Sequence, residues 1–286
     1  MPTYIAIDIG GTKMMVAAVD AEMNILRRIK KPTLQNVDDA MAQMHSMIAE
    51  MAGEDEIQGL GMAIGGPIDL EAGTVSPLNM PQWRDVPMRA MMAERYDCPF
   101  GYGVDTDVAA VAEYYLAKLT EARFLYVTIS TGVGGGFLLD GKVYRGMNGI
   151  HPEVGHQAIP VHTRYADRVL CGCGNTDCLE ALVSGSGIQR VYQKPARDLN
   201  ADEWDEVARH LSLGLRNMIM LLSPDLIVLG GGVTTGGGQF FLDQTQQYLK
   251  DTLTLAHMPE IRVSELGYDT ALLGAAYIAA HPEVLD

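Results

Sequence analysis

Residues 3–20 read TYIAIDIGGTKMMVAAVD. Apolar and β-branched residues run on both sides of a glycine pair, the pattern of two antiparallel strands joined by a tight turn. Asp8, Gly10, Gly11, Thr12 and Lys13 fall at that turn. Glycines let backbone amides approach an anion, Thr12 adds a hydroxyl and Asp8 can hold a hydrated magnesium ion, so the turn reads as a phosphate clamp. It matches neither the dinucleotide fingerprint GxGxxG nor the Walker loop GxxxxGK[ST]. Residues 124–136, FLYVTISTGVGGG, repeat the plan. A strand from Phe124 to Ser130 pours into Thr131, Gly132, Val133 and Gly134, and a hairpin follows with Asp140-Gly141 at its turn. One glycine turn can be punctuation; a duplicated one suggests loops that hold the two ends of a polyphosphate.

Outward from these hairpins, strands alternate with helices, the mark of an α/β layer. Met41, Met44, Ile48 and Met51 recur at helical spacing, which predicts a helix over 38–51 with methionines in the core. A strand over 59–64 ends in Gly65-Gly66-Pro67, and the loop after it carries Asn79, a candidate hydroxyl-binding side chain. A helix over 86–96 and a strand over 100–104 lead into Asp105-Thr106-Asp107 and a further helix. Carboxylates at a helix N-terminus satisfy its dipole, and the C-terminal ends of strands are where α/β sites lie, so one aspartate reads as a cap and the other as a general base. Further on, a helix over 201–222 and a buried strand over 226–229 run to Gly230, Gly231 and Gly232, where bare backbone would accept a flat adenine or ribose. A strand over 261–263 and a helix over 270–280 follow.

The stretch 149–180 carries a different chemistry. His156, Cys171, Cys173 and Cys178 make a closed tetrahedral set of the kind that holds a structural zinc, and such an ion would also fix the carboxylates of Glu153 and Glu180. No signal-peptide pattern opens the chain, which points to a reducing compartment and disfavours a disulfide. Cys98 stands apart, and His151, His162 and His210 are weaker ligand candidates by position.

The 286 residues suffice for two domains, and 36 acidic against 21 basic residues give a formal charge of −15. Phosphate-neutralising nucleic-acid binding is thereby disfavoured, and no apolar run reaches the roughly 18–20 residues of a membrane span. A cytoplasmic protein of small ligands is expected.

With its motifs in order, DIGGTK (8–13), STGVGGG (130–136), EVGH (153–156), CGCGNTDCLE (171–180) and VLGGGV (228–233), the chain resembles the ROK family of sugar kinases and repressors across its length. The resemblance implies a two-domain α/β fold of the actin-like ATPase, ribonuclease H-like type, with ATP and a hexose meeting in the inter-domain cleft. The first domain is drawn over 1–108, completed by a C-terminal segment over 270–286, and the second over 109–269. It implies an ATP-dependent hexose kinase acting on a 6-hydroxyl, Mg2+ with the ATP, a structural Zn2+, and a homodimer. Gly66, Asn79, Glu153, His156 and Glu180 match positions that line the hexose. Where the family carries Asn-Asp-Ala-Asn, this chain has Val104-Asp105-Thr106-Asp107. Matching the local string places the base at Asp107, with Thr106 at the sugar-binding asparagine; counting back from Glu113 places it at Asp105. Asp107 is the preferred assignment. His151-Pro152-Glu153 and Thr106 resemble fructokinases, while the cysteine spacing and DIGGTK resemble glucokinases and N-acetylmannosamine kinases, so the hexose stays open. A sugar-sensing regulator is disfavoured because only Met1 to Thr3 precede the first hairpin, and a plain actin-like ATPase leaves the cysteine cluster unexplained.

Overall fold

A computed structural model describes residues 3–285, apart from the side chain of Asn148. Met1, Pro2 and Asp286, which the sequence reading included at the two ends, lie outside the described residues. In chain order the main elements are β1 (Thr3–Ile9), β2 (Lys13–Val19), β3 (Ile25–Pro32), α1 (Val37–Ala52), β4 (Ile57–Ile64), the short pair β5 (Ile68–Asp69) and β6 (Thr74–Val75), α2 (Met88–Ala93), β7 (Phe100–Val104) and α3 (Asp105–Leu116). Then come β8 (Arg123–Ile129), β9 (Val133–Leu139), β10 (Lys142–Val143), α4 (Leu179–Val183), α5 (Gly185–Tyr192), α6 (Ala201–Leu222), β11 (Leu226–Gly230), α7 (Gly232–Thr252), β12 (Glu260–Val263) and α8 (Thr270–Ala280).

The chain divides into two compact units. The first comprises residues 1–120, 141–151 and 268–286. Its sheet runs β3-β2-β1-β4-β7, with β1, β2 and β3 antiparallel and β1, β4 and β7 parallel. One face is covered by α1, whose Met41, Met44, Met47 and Ile48 are buried against Ile5, Ile7 and Met62. Asn36 caps this helix by accepting from Asp39 N, which fixes where the strand-to-helix turn ends. The other face takes α8. A methyl group on Gly59 or Gly61 would strike the backbone carbonyls of Ala279 or Ala275, so these glycines set how closely the helix seats. The boundary drawn from the sequence at 108 falls inside α3, which packs on α8 and so stays with the first unit.

The second unit, residues 121–140 and 152–267, repeats that frame. Its strands follow the order β9-β8-β11-β12, again an antiparallel hairpin followed by two parallel strands. The long helix α6 begins with a full capping box: Asn200 accepts from Glu203 N and Glu203 accepts from Asn200 N. Two features depart from the sequence reading. Helix α2 covers only residues 88–93 of the expected 86–96, and a 21-residue helix, α7, follows the glycine run at 230–232. No helix among the described residues is long and apolar enough to cross a membrane.

Candidate functional site

In the first unit the phosphate-type turn is closed by Gly10 N donating to Lys13 O at 2.9 Å. Asp8 lies on β1 next to that turn and its carboxyl is pushed up to about 6, first by burial and then by the negative charge of Asp105, with Lys13 partly opposing. Asp8 lies at the end of β1 and Asp105 directly follows β7, close enough for one charge to act on the other. A buried acid raised in this way is a site that a cation would relieve, and an oxygen pair of this kind suits magnesium. Lys13 reaches over the ring of Tyr268, 4.0 Å from its centroid, and burial lowers its pKa. Asn79 abuts the same turn: a Cβ on Gly11 would come within 2.9 Å of its Cγ.

Asp105 and Asp107 part company at the start of α3. The helix opens at Asp105, directly after β7, so the two aspartates occupy its first and third positions. Two residues along a helix span about 200°, and their side chains leave on opposite sides. Asp105 lies near enough to Asp8 for its charge to help raise that carboxyl, and it also accepts from the Thr106 amide at 2.8 Å. Asp107 turns the other way. It is 1% exposed, its Oδ1 accepts no hydrogen bond among the described residues, and His151 Nδ1 lies 3.6 Å off. Thr106 contributes a buried hydroxyl between them. Gly66 sits beside Val104 and His151.

The second unit assembles its own group. One donor atom each from His156, Cys171, Cys173 and Cys178 lies within 4.8 Å of the others. Cys173 Sγ and Cys178 Sγ are 3.5 Å apart, Cys171 Sγ and His156 Nδ1 are 3.4 Å apart, and the cysteines are free thiols. Tetrahedral zinc with Zn–S near 2.3 Å would hold its sulfurs about 3.8 Å apart, so the donor set fits that ion with small adjustments. Burial pushes the Cys171 thiol up to about 12 and raises Cys178 as well, whereas hydrogen bonds from Asn175 and the neighbouring thiols bring Cys173 down to about 7. His156 presents its other nitrogen to Glu153, 4.0 Å away, the carboxylate–imidazole arrangement that orients a ligating histidine.

Glu180 links this cluster to the second hairpin. Its Oε1 accepts from Cys171 Sγ at 3.5 Å and its Oε2 accepts from Val133 N at 2.9 Å. Two further contacts, absent from the sequence reading, hold the same turn: Gly185 N donates to Ser130 O at 2.7 Å, and the Ser186 hydroxyl donates to Thr131 O at 2.6 Å. The signal was the Ser184 cap of α5, which accepts from Gly187 N and starts the helix whose first residues, Gly185 and Ser186, make these contacts. Gly231, at φ 91°, opens α7 and packs on the backbone of Ile129, the last residue of β8 before the second turn. Each unit thus gathers its own share of the residues singled out in the sequence.

A hairpin-led sheet occurring twice, with acid chemistry on one copy and a Cys–His cluster on the other, defines an α/β protein of the actin-like ATPase type. The chain belongs to the ROK family: the family model matches residues 4–281. It is similar to a glucokinase of Halalkalibacterium halodurans, 27% identical with 98% of this chain and 96% of that protein covered. An N-acetylmannosamine kinase of Haemophilus influenzae is 29% identical, with 96% and 94% covered. Among solved structures, a ROK glucokinase of Streptomyces griseus in complex with glucose and AMPPNP superposes with a TM-score of 0.80 at 26% identity, covering 98% of this chain and 99% of that one.

Proposed function

We propose that this chain is an ATP-dependent kinase of a hexose or N-acetylhexosamine, transferring the γ-phosphoryl group to the sugar 6-hydroxyl. The observation that carries the reading is the buried Asp8 carboxyl next to the closed Gly10–Lys13 turn, with the charge of Asp105 acting on it. Asp105 takes the proton from the attacking hydroxyl, contributing about 10²–10⁴-fold as a positioned general base. It replaces Asp107 in that role because its charge acts on Asp8 next to the phosphate turn, whereas Asp107 lies against His151. Asp8 would hold the magnesium of Mg-ATP, which supplies neutralisation of the phosphate charge. The amides of Gly10, Gly11 and Thr12, with Lys13, cradle phosphate oxygens; Thr131 to Gly134 supply a second set of amides; the bare backbone of Gly230 to Gly232 receives the nucleoside.

Gly66, Asn79, Glu153, His156 and Glu180 are proposed sugar positions, although His156 Nδ1 is turned to the cysteines and Glu180 is engaged with Val133. His156, Cys171, Cys173 and Cys178 would hold a structural zinc. Glucose, fructose and N-acetylmannosamine are the candidate substrates, by similarity to the named relatives and to the family's fructokinases, and a homodimer is expected by light scattering. A coupled ADP-release assay across those sugars tests the reading. Sugar-dependent turnover is expected for at least one of them; ATP hydrolysis indifferent to every sugar would overturn it.

A further inference from the structure

The edge strand β3 carries four basic residues, Arg27, Arg28, Lys30 and Lys31, in an otherwise acidic chain. Both arginines are engaged: Arg27 donates to Asp55 at 2.7 Å, and Arg28 donates to the two carboxylate oxygens of Asp269 at 3.1 and 2.9 Å. Lys30 is placed by register. Asp8 pairs with Met15 and Met15 with Lys30, so these three side chains leave from one face of the sheet, and Lys13, two residues before Met15, leaves from it too. This is the face that α8 covers, since Gly61, which meets Ala275 of that helix, is paired with Ala6. Tyr268 stands two residues ahead of α8 and lies over the lysines. Its ring centroid is 4.0 Å from Lys13 Nζ and 6.0 Å from Lys30 Nζ.

Two ammonium groups drawn to one ring repel each other, and after burial the charge of Lys30 is what lowers the Lys13 pKa most. Neither lysine makes an ion pair among the described residues, and Asp269, the neighbour of Tyr268 in the chain, is already held by Arg28. Lysines on an edge strand commonly serve to block further strand pairing. Open water suffices for that purpose, and no ring is needed. We propose that Lys13 and Lys30 form a two-cation phosphate subsite beside the Gly10–Lys13 turn, covered by the Tyr268 ring until the ligand arrives, and that Lys30 binds the terminal phosphate of the phosphoryl donor. The assignment rests on the kinase reading for the donor's role and adds Lys30 and Tyr268 to its site. The ligand class is a chain of three or more linked phosphates, supplied by a nucleoside triphosphate or by linear inorganic polyphosphate. On binding, each ammonium exchanges the weak attraction of a ring face for charge-assisted hydrogen bonds to phosphate oxygens. Tyr268 is itself 67% exposed, so its displacement uncovers little buried surface.

Calorimetric titration of the intact protein with magnesium ATP, magnesium ADP and sodium tripolyphosphate, together with NMR of the lysine ε-methylene protons, tests the subsite. Before ligand is added, the Lys13 ε-methylene resonance should lie upfield in the ring current of Tyr268, and it should return to the ordinary lysine position as ATP or tripolyphosphate binds. Lys30→Met, which keeps the stem and removes the charge, should weaken one or both of these ligands roughly tenfold, with ADP affected less and the melting temperature unchanged. Lys30→Arg should restore most of the loss. A loss confined to ATP identifies the nucleotide as the source of the phosphate, and a loss confined to tripolyphosphate identifies inorganic polyphosphate. Equal weakening of ATP and ADP, undiminished affinity in Lys30→Met, or a Lys13 resonance that stays upfield at saturation would overturn the subsite. Sugar-dependent turnover whose donor KM survives Lys30→Met would overturn it while leaving the kinase reading intact. If no sugar is turned over, the kinase reading fails, and the titrations still decide the subsite. The wild-type ring-current measurement needs no variant, so a misfolded substitution cannot shield the idea.

Discussion

The two glycine hairpins share a frame and differ in how they are charged. In β1–β2 the pairs nearest the turn are Asp8 with Met15 and Ile9 with Met14; in β8–β9 they are Thr128 with Gly134 and Ile129 with Val133. Thr128 thus occupies the place of Asp8. The first turn carries its own acid, paid for by burial that lifts Asp8 to about 6. The second has none on its strands and borrows Glu180, a side chain anchored in the Cys–His cluster. The two hairpins share the backbone device and divide the chemistry: the first carries a buried acid of its own, and the second takes a carboxylate that also touches the Cys–His cluster.

That contrast breaks most readily at the Cys–His cluster. Loss of a structural metal ranks among the few single changes that exceed about 4 kcal/mol. Cys178→Ser, or treatment with a zinc chelator, is expected to lower the melting temperature markedly and to speed amide exchange at Val133 and Gly185, while the Gly10 amide of the first hairpin keeps its protection. Equal loosening of both hairpins would show that the cluster supports the whole chain rather than the second turn. Next in size is the chemistry of the first hairpin. Asp105→Asn should reduce kcat about a thousandfold, roughly 4 kcal/mol in barrier height, without disturbing the melting temperature. A full kcat in that variant, with loss in Asp107→Asn, would return the base to Asp107.

Asp8 gives the third effect, and its direction is opposite in stability and in activity. Its folded pKa of about 6 lies above the ordinary 3.8, so between those values the folded chain holds a proton that the unfolded chain has released. Stability contributed by this group is present below pH 4 and is lost as pH rises through 6. The penalty at pH 7 is about 3 kcal/mol for a shift of this size. Asp8→Asn should therefore stabilise the ligand-free protein at pH 7 by that order while abolishing magnesium-dependent turnover. His210, whose pKa burial lowers to about 4, tilts the stability profile the other way, so the informative curve is wild type minus variant in urea melts from pH 4 to 7. A flat difference curve would mean that a residue other than Asp8 carries the proton.

Much of this was legible in the sequence where the signal is local. Strand alternation around Gly10-Gly11 and Gly132 fixes both hairpins, and the His156, Cys171, Cys173 and Cys178 set converges as its spacing suggests. Helix α7 was not legible, because Gly236, Gly237 and Gly238 interrupt the helical pattern and Gly238 does break the helical backbone at φ 60°. Nor did the string Asp105-Thr106-Asp107 reveal its roles. A shift of two residues leaves the motif similar to the eye but carries a side chain to the far face of α3, and only the end of β7 sets that register. The buttress formed by Glu180, Gly185 and Ser186 is likewise tertiary: no spacing rule connects residue 180 to the amide of residue 133.

The smallest effect probes that buttress alone. In Glu180→Gln the side chain keeps its length and one acceptor oxygen, but the hydrogen bond to Val133 N loses its charge assistance. The difference between a charged and a neutral acceptor is about 1 kcal/mol, which corresponds to faster exchange of the Val133 amide by roughly fivefold. The Gly185 amide, whose acceptor is Ser130 O, should be unchanged, as should Gly10 in the first hairpin. Should Gly185 loosen together with Val133, the two supports of the turn act as one network; should neither respond, the charge on Glu180 serves the Cys171 side of the cluster rather than the hairpin. Only the selective response at Val133 matches a second hairpin that takes its missing carboxylate from elsewhere in the chain.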